Sequence, residues 1–283
     1  MAEVTLRDAV FIELGKDFFT RFKFEPVNVI DSGMCGEVIL ARSSEDPKRK
    51  LIVKKFSLLT EGTSERNTAM FYNEVRFMQA LKHPFLTSCL LPVKCPDYLA
   101  ISMHYYQRRT LDHYVGNVSI EISELCVIQV ACALRYMHRN NMAHLDVKLD
   151  NIFLDDEFNA ILGDFGLSVE LPAQQQTLPR RKCGGTLGYS APEHRRAKRE
   201  DELNPYKMDA YCLGVVLWCL VFEQDADENT DYYLTARKKV LPLLIRDMLL
   251  RLLQKDPARR ITVTALLERV RHETIHRHII KEN

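Results

Sequence analysis

The stretch His144-Leu145-Asp146-Val147-Lys148-Leu149-Asp150-Asn151, followed thirteen residues after Asn151 by Asp164-Phe165-Gly166, decides how this chain is read. Strand-like apolar residues flank each group: Ile152, Phe153 and Leu154 follow the first, and Ile161 and Leu162 precede the second. Asn151 and Asp164 offer hard oxygen ligands of the kind Mg²⁺ takes, and Asp146 can orient a hydroxyl and accept its proton. Together they form the carboxylate and amide set that phosphoryl transfer needs. Polar residues that merely capped tight turns would be under no constraint to keep this joint spacing.

Outward from that stretch the chain divides into two zones. From about residue 24 to residue 102, short β-rich runs (VNVI, EVILAR, LIVKKF, LAISM) surround one amphipathic helix over 65–81, with Met70, Val75, Met78 and Leu81 apolar. From about residue 110 the pattern is mainly helical, with runs at 122–137, 208–222, 240–253 and 263–272. This organisation is α+β and two-lobed, with a junction near 103–109, and ligands usually bind in clefts between lobes. In the first zone, Ser32-Gly33-Met34-Cys35-Gly36-Glu37-Val38 joins two strand-like runs. Its glycines admit two readings, a plain hairpin turn at positive φ or a close backbone approach to a phosphate. Further on, Lys54 follows the apolar run Leu51-Ile52-Val53, which places a cation on a strand beside that hairpin.

These motifs, in this order, resemble the eukaryotic-type protein kinases of the serine/threonine kind, over about residues 24–260. The resemblance implies a bilobal protein kinase fold, with a small β-rich N-lobe carrying one main helix and a larger helical C-lobe. It implies a kinase domain over 24–272 (N-lobe 24–103, hinge 104–109, C-lobe 110–272), between an extension at 1–23 and a tail at 273–283. The apolar set Val10, Ile12, Leu14, Phe18 and Phe19 in the extension points to a packed helix rather than a loose arm. The candidate catalytic residues are Asp146, Lys148, Lys54 and Glu74, with Glu74 resembling the helix glutamate that pairs with the strand lysine. ATP would lie against Ser32, Gly33, Gly36, Val38, Ile52, Lys54, Met103 as gatekeeper, the hinge residues His104 and Tyr106, and Phe153 as floor. Mg²⁺ would be held by Asn151 and Asp164. Residues 185–193 (GTLGYSAPE) resemble the end of an activation segment, Asp209 the helix aspartate that braces the catalytic loop, and Arg260 the partner of Glu193. Lys148 together with Thr186 is similar to the serine/threonine-specific pattern. A pseudokinase scaffold, the rival reading, would have lost Lys54, Asp146 or Asp164, and all three are present.

The chain departs from the family pattern in several places. Asp31 stands where the first glycine of the phosphate loop is usual, and Ile52 where alanine is common. Leu145 replaces the arginine that binds a phosphorylated activation loop in many kinases, so activity is expected not to require that phosphorylation. Glu223, Asp225, Asp227, Glu228 and Asp231 form an acidic run that suggests an arginine-rich protein substrate, with solvated surface acid as the plain alternative. Cys35 and Cys183 are candidate reactive thiols, with Arg181 and Lys182 beside Cys183 and no charge pattern securing a thiolate at Cys35, but redox control is the lesser reading.

Composition excludes other classes. Lys plus Arg (39) nearly cancel Asp plus Glu (38), so no basic field argues for direct nucleic-acid binding. The apolar stretch at 208–222 contains Asp209 and is too short to span a bilayer, so it reads as a buried helix and no membrane partner is expected. The eight cysteines include no C-x-x-C pair, and the N-terminus shows no secretory signal, which points to an intracellular setting, cytoplasmic or nuclear. The compact length and the His-Leu-Asp sequence also resemble kinases of large DNA viruses of the baculovirus type, which implies a host-cell setting and basic nucleocapsid targets. Nothing in the sequence specifies an oligomeric state.

Overall fold

The computed structural model describes residues 8–33, 36–59 and 64–281. The chain forms two compact units, one made of residues 1–82, 86–107 and 164–166 and the other of 83–85, 108–163 and 167–283.

The first unit holds strands β1 (Ile12–Glu13), β2 (Phe24–Gly33), β3 (Gly36–Ser43), β4 (Lys50–Ser57), β5 (Cys89–Lys94) and β6 (Tyr98–His104), with helices α1 (Phe18–Phe22) and α2 (Ser64–Ala80). The sheet order is β1-β5-β6-β4-β3-β2, antiparallel throughout except for the parallel pair β1 and β5. Register decides what the sheet can present. Lys54 lies opposite Val38 on β3 and Ile101 on β6, while Ile52 lies opposite Leu40 and Met103. α2 buries Asn67, Phe71, Glu74, Val75 and Met78, spaced three or four apart, so one face carries both the apolar residues and the single carboxylate.

The expected helix at 65–81 is α2 within a residue at each end. Its inner face is built by Phe71 and Phe77 as much as by Val75 and Met78, and Met70 is only half-buried. The extension departs further from expectation. The apolar set does not form one packed helix: Val10 belongs to no element, Ile12 is on β1, and only Phe18 and Phe19 are helical, in α1. Asp17 caps α1 by accepting from Phe19 N at 2.9 Å, and Lys23 in a left-handed conformation ends it.

The second unit contains α3 (Ile120–Arg139), β7 (Met142–Ala143), β8 (Ile152–Leu154), β9 (Ala160–Leu162), β10 (Val169–Glu170), β11 (Leu178–Pro179), α4 (Pro192–Arg196), β12 (Glu202–Leu203), α5 (Pro205–Phe222), α6 (Tyr232–Lys238), α7 (Leu243–Leu252) and α8 (Val263–Lys281). Ser119 caps α3 and Asn204 caps α5, each side chain accepting a first-turn backbone N–H. α5 is long and apolar enough to cross a membrane by length and composition, but it is buried within this unit, packed on α3 and α7. The helical run expected at 240–253 begins only at Leu243, because Pro242 forces the residue before it out of the helical region. α6 was not anticipated, and Asp231 starts it by accepting from Leu234 N at 3.1 Å.

Candidate active site

In the first unit the site is built on β4 and α2. Lys54 sits on an inner strand with its side chain 10% exposed, and its ammonium meets Glu74 Oε2 at 2.8 Å and Asp164 Oδ1 at 3.1 Å. Burial alone would lower the Lys54 pKa, but the Glu74 and Asp164 carboxylates outweigh it and raise it. Lys54 is therefore a fixed cation. Burial pushes Glu74 up, opposed by the Lys54 charge. Asn73, beside Glu74, donates to the carbonyls of Phe165 at 3.1 Å and Gly166 at 3.3 Å, and the Phe165 ring stacks on Phe77. α2 thus holds the Asp164-Phe165-Gly166 turn as well as the lysine.

Around that centre, Ile52 is buried, Val38 and Met103 are half-buried on the adjoining strands, and Tyr106 follows β6 half-buried beside an exposed His104. Ser32 and Gly33 lie at the end of β2, with Gly33 opposite Gly36. Gly36 has φ +131°, and a Cβ there would come within 1.8 Å of the Lys55 carbonyl oxygen. This glycine is demanded by the approach of β3 to β4, so its presence is explained by packing before any phosphate is invoked. Asp31 is exposed opposite Val38. Cys35 lies outside the described residues.

In the second unit the catalytic loop hangs from α5. Asp209, fully buried, accepts from His144 N at 2.9 Å, Leu145 N at 2.7 Å and His138 Nε2 at 2.8 Å. His144 in turn donates from Nε2 to the Gly163 carbonyl at 3.0 Å and accepts at Nδ1 from Asp146 N at 3.3 Å. These bonds hold Leu145 at φ +67°, a conformation a branched side chain rarely adopts, and so fix the direction of Asp146. Both Asp146 oxygens are engaged. Thr186 Oγ1 donates to Oδ1 at 2.6 Å, Asn151 Nδ2 donates to Oδ2 at 3.0 Å, and Lys148 Nζ stands 3.4 Å from Oδ2 and 3.3 Å from Thr186 Oγ1. Phe153, on β8, is half-buried opposite Ile161.

The structure therefore gathers Asp146, Lys148, Asn151 and Phe153 in one unit, and Lys54, Glu74, Asp164, Val38, Ile52 and Met103 in the other. Thr186 belongs with the first group as a direct partner of Asp146. In the sequence it was visible only through its likeness to a specificity motif, because nothing in the spacing from 146 to 186 announces a hydrogen bond.

Each unit offers an oxygen of the kind a divalent cation takes. Asn151 spends its amide hydrogens on Asp146, which leaves its carbonyl oxygen as the acceptor it can offer. Asp164 is a carboxylate whose side chain is 40% exposed. Among the described residues no group of three or more His, Cys, Asp or Glu side chains is placed to hold a metal ion.

The lesser reading of Cys183 meets an opposing environment. Cys183 is buried, and that burial pushes its thiol up to about 11 against the pull of Arg180. Burial thus opposes a thiolate there, despite the cationic neighbours.

A strand lysine locked to a helix glutamate and an aspartate held by both a lysine and a threonine, each fixed in its own unit, define the protein kinases as a class. The protein kinase domain family matches residues 24–270, and the chain belongs to it. It is 27% identical over 214 residues to the serine/threonine-protein kinase ppk16 of Schizosaccharomyces pombe, covering 75% of this chain and 30% of that protein. It is 30% identical over 206 residues to the serine/threonine-protein kinase cds1 of the same yeast, covering 70% and 44%. It is 27% identical over 208 residues to the NUAK family SNF1-like kinase 1 of Homo sapiens, covering 71% and 30%. The chain spans less than half the length of each of these relatives.

Proposed function

We propose that the chain transfers the γ-phosphoryl group of ATP to serine or threonine hydroxyls of proteins. The observation that carries this reading is the Asp146 cluster, in which Thr186, Asn151 and Lys148 converge on one carboxylate. Asp146 would align the hydroxyl and take its proton, while Lys148 would offset charge on the group in transit. Lys54, with Gly33 and Gly36, would hold the nucleotide phosphates, and Glu74 would keep the lysine in place. Asn151 and Asp164 would hold Mg²⁺, which supplies charge neutralisation to the phosphates when bound. Positioning and fixed charge supply most of the acceleration, because phosphoryl transfer asks little covalent help of the protein.

Two finer readings belong to this proposal. The first is that transfer does not depend on phosphorylation of the activation segment. Leu145 is buried and uncharged at the place of the usual phosphate-binding arginine. The segment is instead tied down by its own residues. β11 pairs with β12, Arg180 N donates to the Asp201 carbonyl at 2.9 Å, and the Arg180 guanidinium donates to the carbonyls of His194 at 3.0 Å and Cys183 at 3.3 Å. A fixed cation and a strand pair then do what an added phosphate does elsewhere. Thr177→Ala is accordingly expected to lower kcat/KM by less than about tenfold, or about 1.4 kcal/mol of barrier. A larger loss, at unchanged Tm, would contradict it.

The second reading is a preference for arginine-rich substrates. Of the acidic run, Asp231 caps α6 and Asp227 accepts from Asn229 N and the Thr230 hydroxyl, whereas Glu223, Asp225 and Glu228 are exposed. The run adjoins the 185–193 segment: the Ala226 carbonyl lies 3.0 Å from where a Cβ on Gly188 would be, and Tyr232 donates to the Gly188 carbonyl at 2.9 Å. Neutralising Glu223, Asp225 and Glu228 together is expected to reduce kcat/KM for an arginine-rich serine peptide at least about tenfold at low salt, and less at high salt. Unchanged turnover would sink this reading. So would faster turnover of an acidic peptide, which would instead assign the binding to the exposed cations Lys182, Arg196 and Lys198.

A further inference from the structure

The extension ahead of the sheet makes contacts that its sequence pattern does not suggest. Val10 and Ile12 are exposed while Phe11 between them is half-buried, the alternation of an extended strand. Phe11 meets α2 edge-on, with its ring 6.0 Å from Phe71 and 5.6 Å from Tyr72. On the same helix, Gln79 grips the backbone of Val10 from both sides. It accepts from Val10 N at 3.0 Å and donates to Val10 O at 2.6 Å.

The arm is anchored to the sheet immediately afterwards. Ile12 and Glu13 pair with Val93 and Lys94, Leu14 N donates to the Lys94 carbonyl at 2.8 Å, and Glu13 pairs with Lys94 at 3.0 Å. Phe18 then enters the core, with its N–H donating to Tyr98 Oη at 3.0 Å. One end of residues 10–18 is therefore fixed in the sheet and the other is fixed on α2.

We propose that this arm is a built-in clamp on α2 that keeps Glu74 against Lys54, with Phe11 and Gln79 as positioning residues. The contacts bracket the carboxylate: Phe71 and Tyr72 lie within one turn before Glu74, and Gln79 lies just over one turn after it. Phe71 is also wedged edge-on against Phe56, two residues along β4 from Lys54, so Phe11 closes a ring stack running from the arm through α2 to the lysine strand. A rotation or outward shift of α2 that parted Glu74 from Lys54 would have to break the Gln79 grip and open that stack. The inference deepens the kinase reading and rests on it for its effect on turnover. The clamp itself is testable without it.

The test uses the whole 283-residue chain with Phe11→Ala, Phe11→Tyr and Gln79→Ala. Amide hydrogen exchange along α2 from Phe71 to Ala80 is expected to quicken at least about tenfold in Phe11→Ala and in Gln79→Ala, and to return towards wild type in Phe11→Tyr, which keeps the edge-on ring. Exchange that is unchanged in both alanine variants overturns the clamp whatever the chain catalyses. The link to the site is read from a double-mutant cycle. Phe11→Ala is expected to lower kcat/KM for ATP at least about tenfold in the wild-type background and to have less than about twofold effect in a Glu74→Gln background. Equal losses in the two backgrounds would show that Phe11 acts through general stability and would overturn its role as a positioning residue. If the wild-type chain fails to transfer phosphate while the exchange result holds, the kinase reading falls and the clamp stands.

Discussion

Asp146→Asn is expected to lower kcat by about 10²–10⁴-fold, the range removed with a general base, and to leave Tm within about 2 °C. The two halves of that expectation come from the same hydrogen bonds. Thr186 and Asn151 both donate to the Asp146 carboxylate, so a side chain of the same shape remains seated among the same neighbours. An asparagine oxygen can still accept from Asn151, and the Thr186 hydroxyl can turn to accept from the new amide. What the amide cannot do is take a proton from a substrate hydroxyl. A variant that loses activity only by losing its fold would contradict this account of Asp146, and so would one that keeps more than about a tenth of wild-type kcat.

Arg260→Ala is expected to destabilise the fold by about 3–5 kcal/mol, the range for removing one partner of a buried ion pair. The Arg260 side chain is fully buried and meets Glu193 with two parallel bonds, of 2.6 and 2.8 Å. Its remaining donors reach the carbonyls of Gln254 at 2.9 Å and Lys207 at 2.8 Å, and the guanidinium lies over the Tyr211 ring. Alanine would strand the Glu193 carboxylate and take a donor from the Gln254 and Lys207 carbonyls, which costs more than the pair itself contributes. For a chain of this size the Tm should fall by about 10 °C. Arg260→Lys should recover little, because an ammonium cannot reproduce the planar fork. A thermal or urea transition shifted by less than about 1 kcal/mol would show that the pair is not the tie between α4 and the turn joining α7 to α8 that the geometry makes it.

The chemistry of the site was more legible in the sequence than its supports were. Asp146, Asn151 and Asp164 could be singled out because phosphoryl transfer uses those side-chain types at such intervals, and Lys54 by its likeness to a strand lysine paired with Glu74; the structure sets Lys54 on Glu74 and adds Asp164 as a second partner. The bracing of the catalytic loop by Asp209 was legible only by likeness, since sixty-odd residues of chain intervene before the bond to His144 N and Leu145 N. Gly36 was left open between a turn and a phosphate approach, and the deciding fact, a strand backbone pressed against it, is a tertiary contact.

Elements went unread where local signals conflicted with packing. β5 carries Pro92, which argues against an inner strand, yet the two residues of β1 still pair outside it at Val93 and Lys94. The extension offered apolar residues at near-helical spacing, but its backbone is held by partners far along the chain, Val10 by the Gln79 side chain and Ile12 and Glu13 by Val93 and Lys94. Cys183 shows the same limit in electrostatics. Sequence neighbours gave it two cations, and burial, which sequence does not display, settled its thiol in the other direction.

The most direct test of the account is transfer of labelled γ-phosphate from ATP with Mg²⁺ to an arginine-rich serine peptide, comparing the wild-type chain with Asp164→Asn. The account predicts phosphoserine formed by the wild-type chain and none above background by the variant, with both chains folded. No transfer by a folded wild-type chain that measurably binds ATP would contradict it and favour a kinase fold that serves as a scaffold.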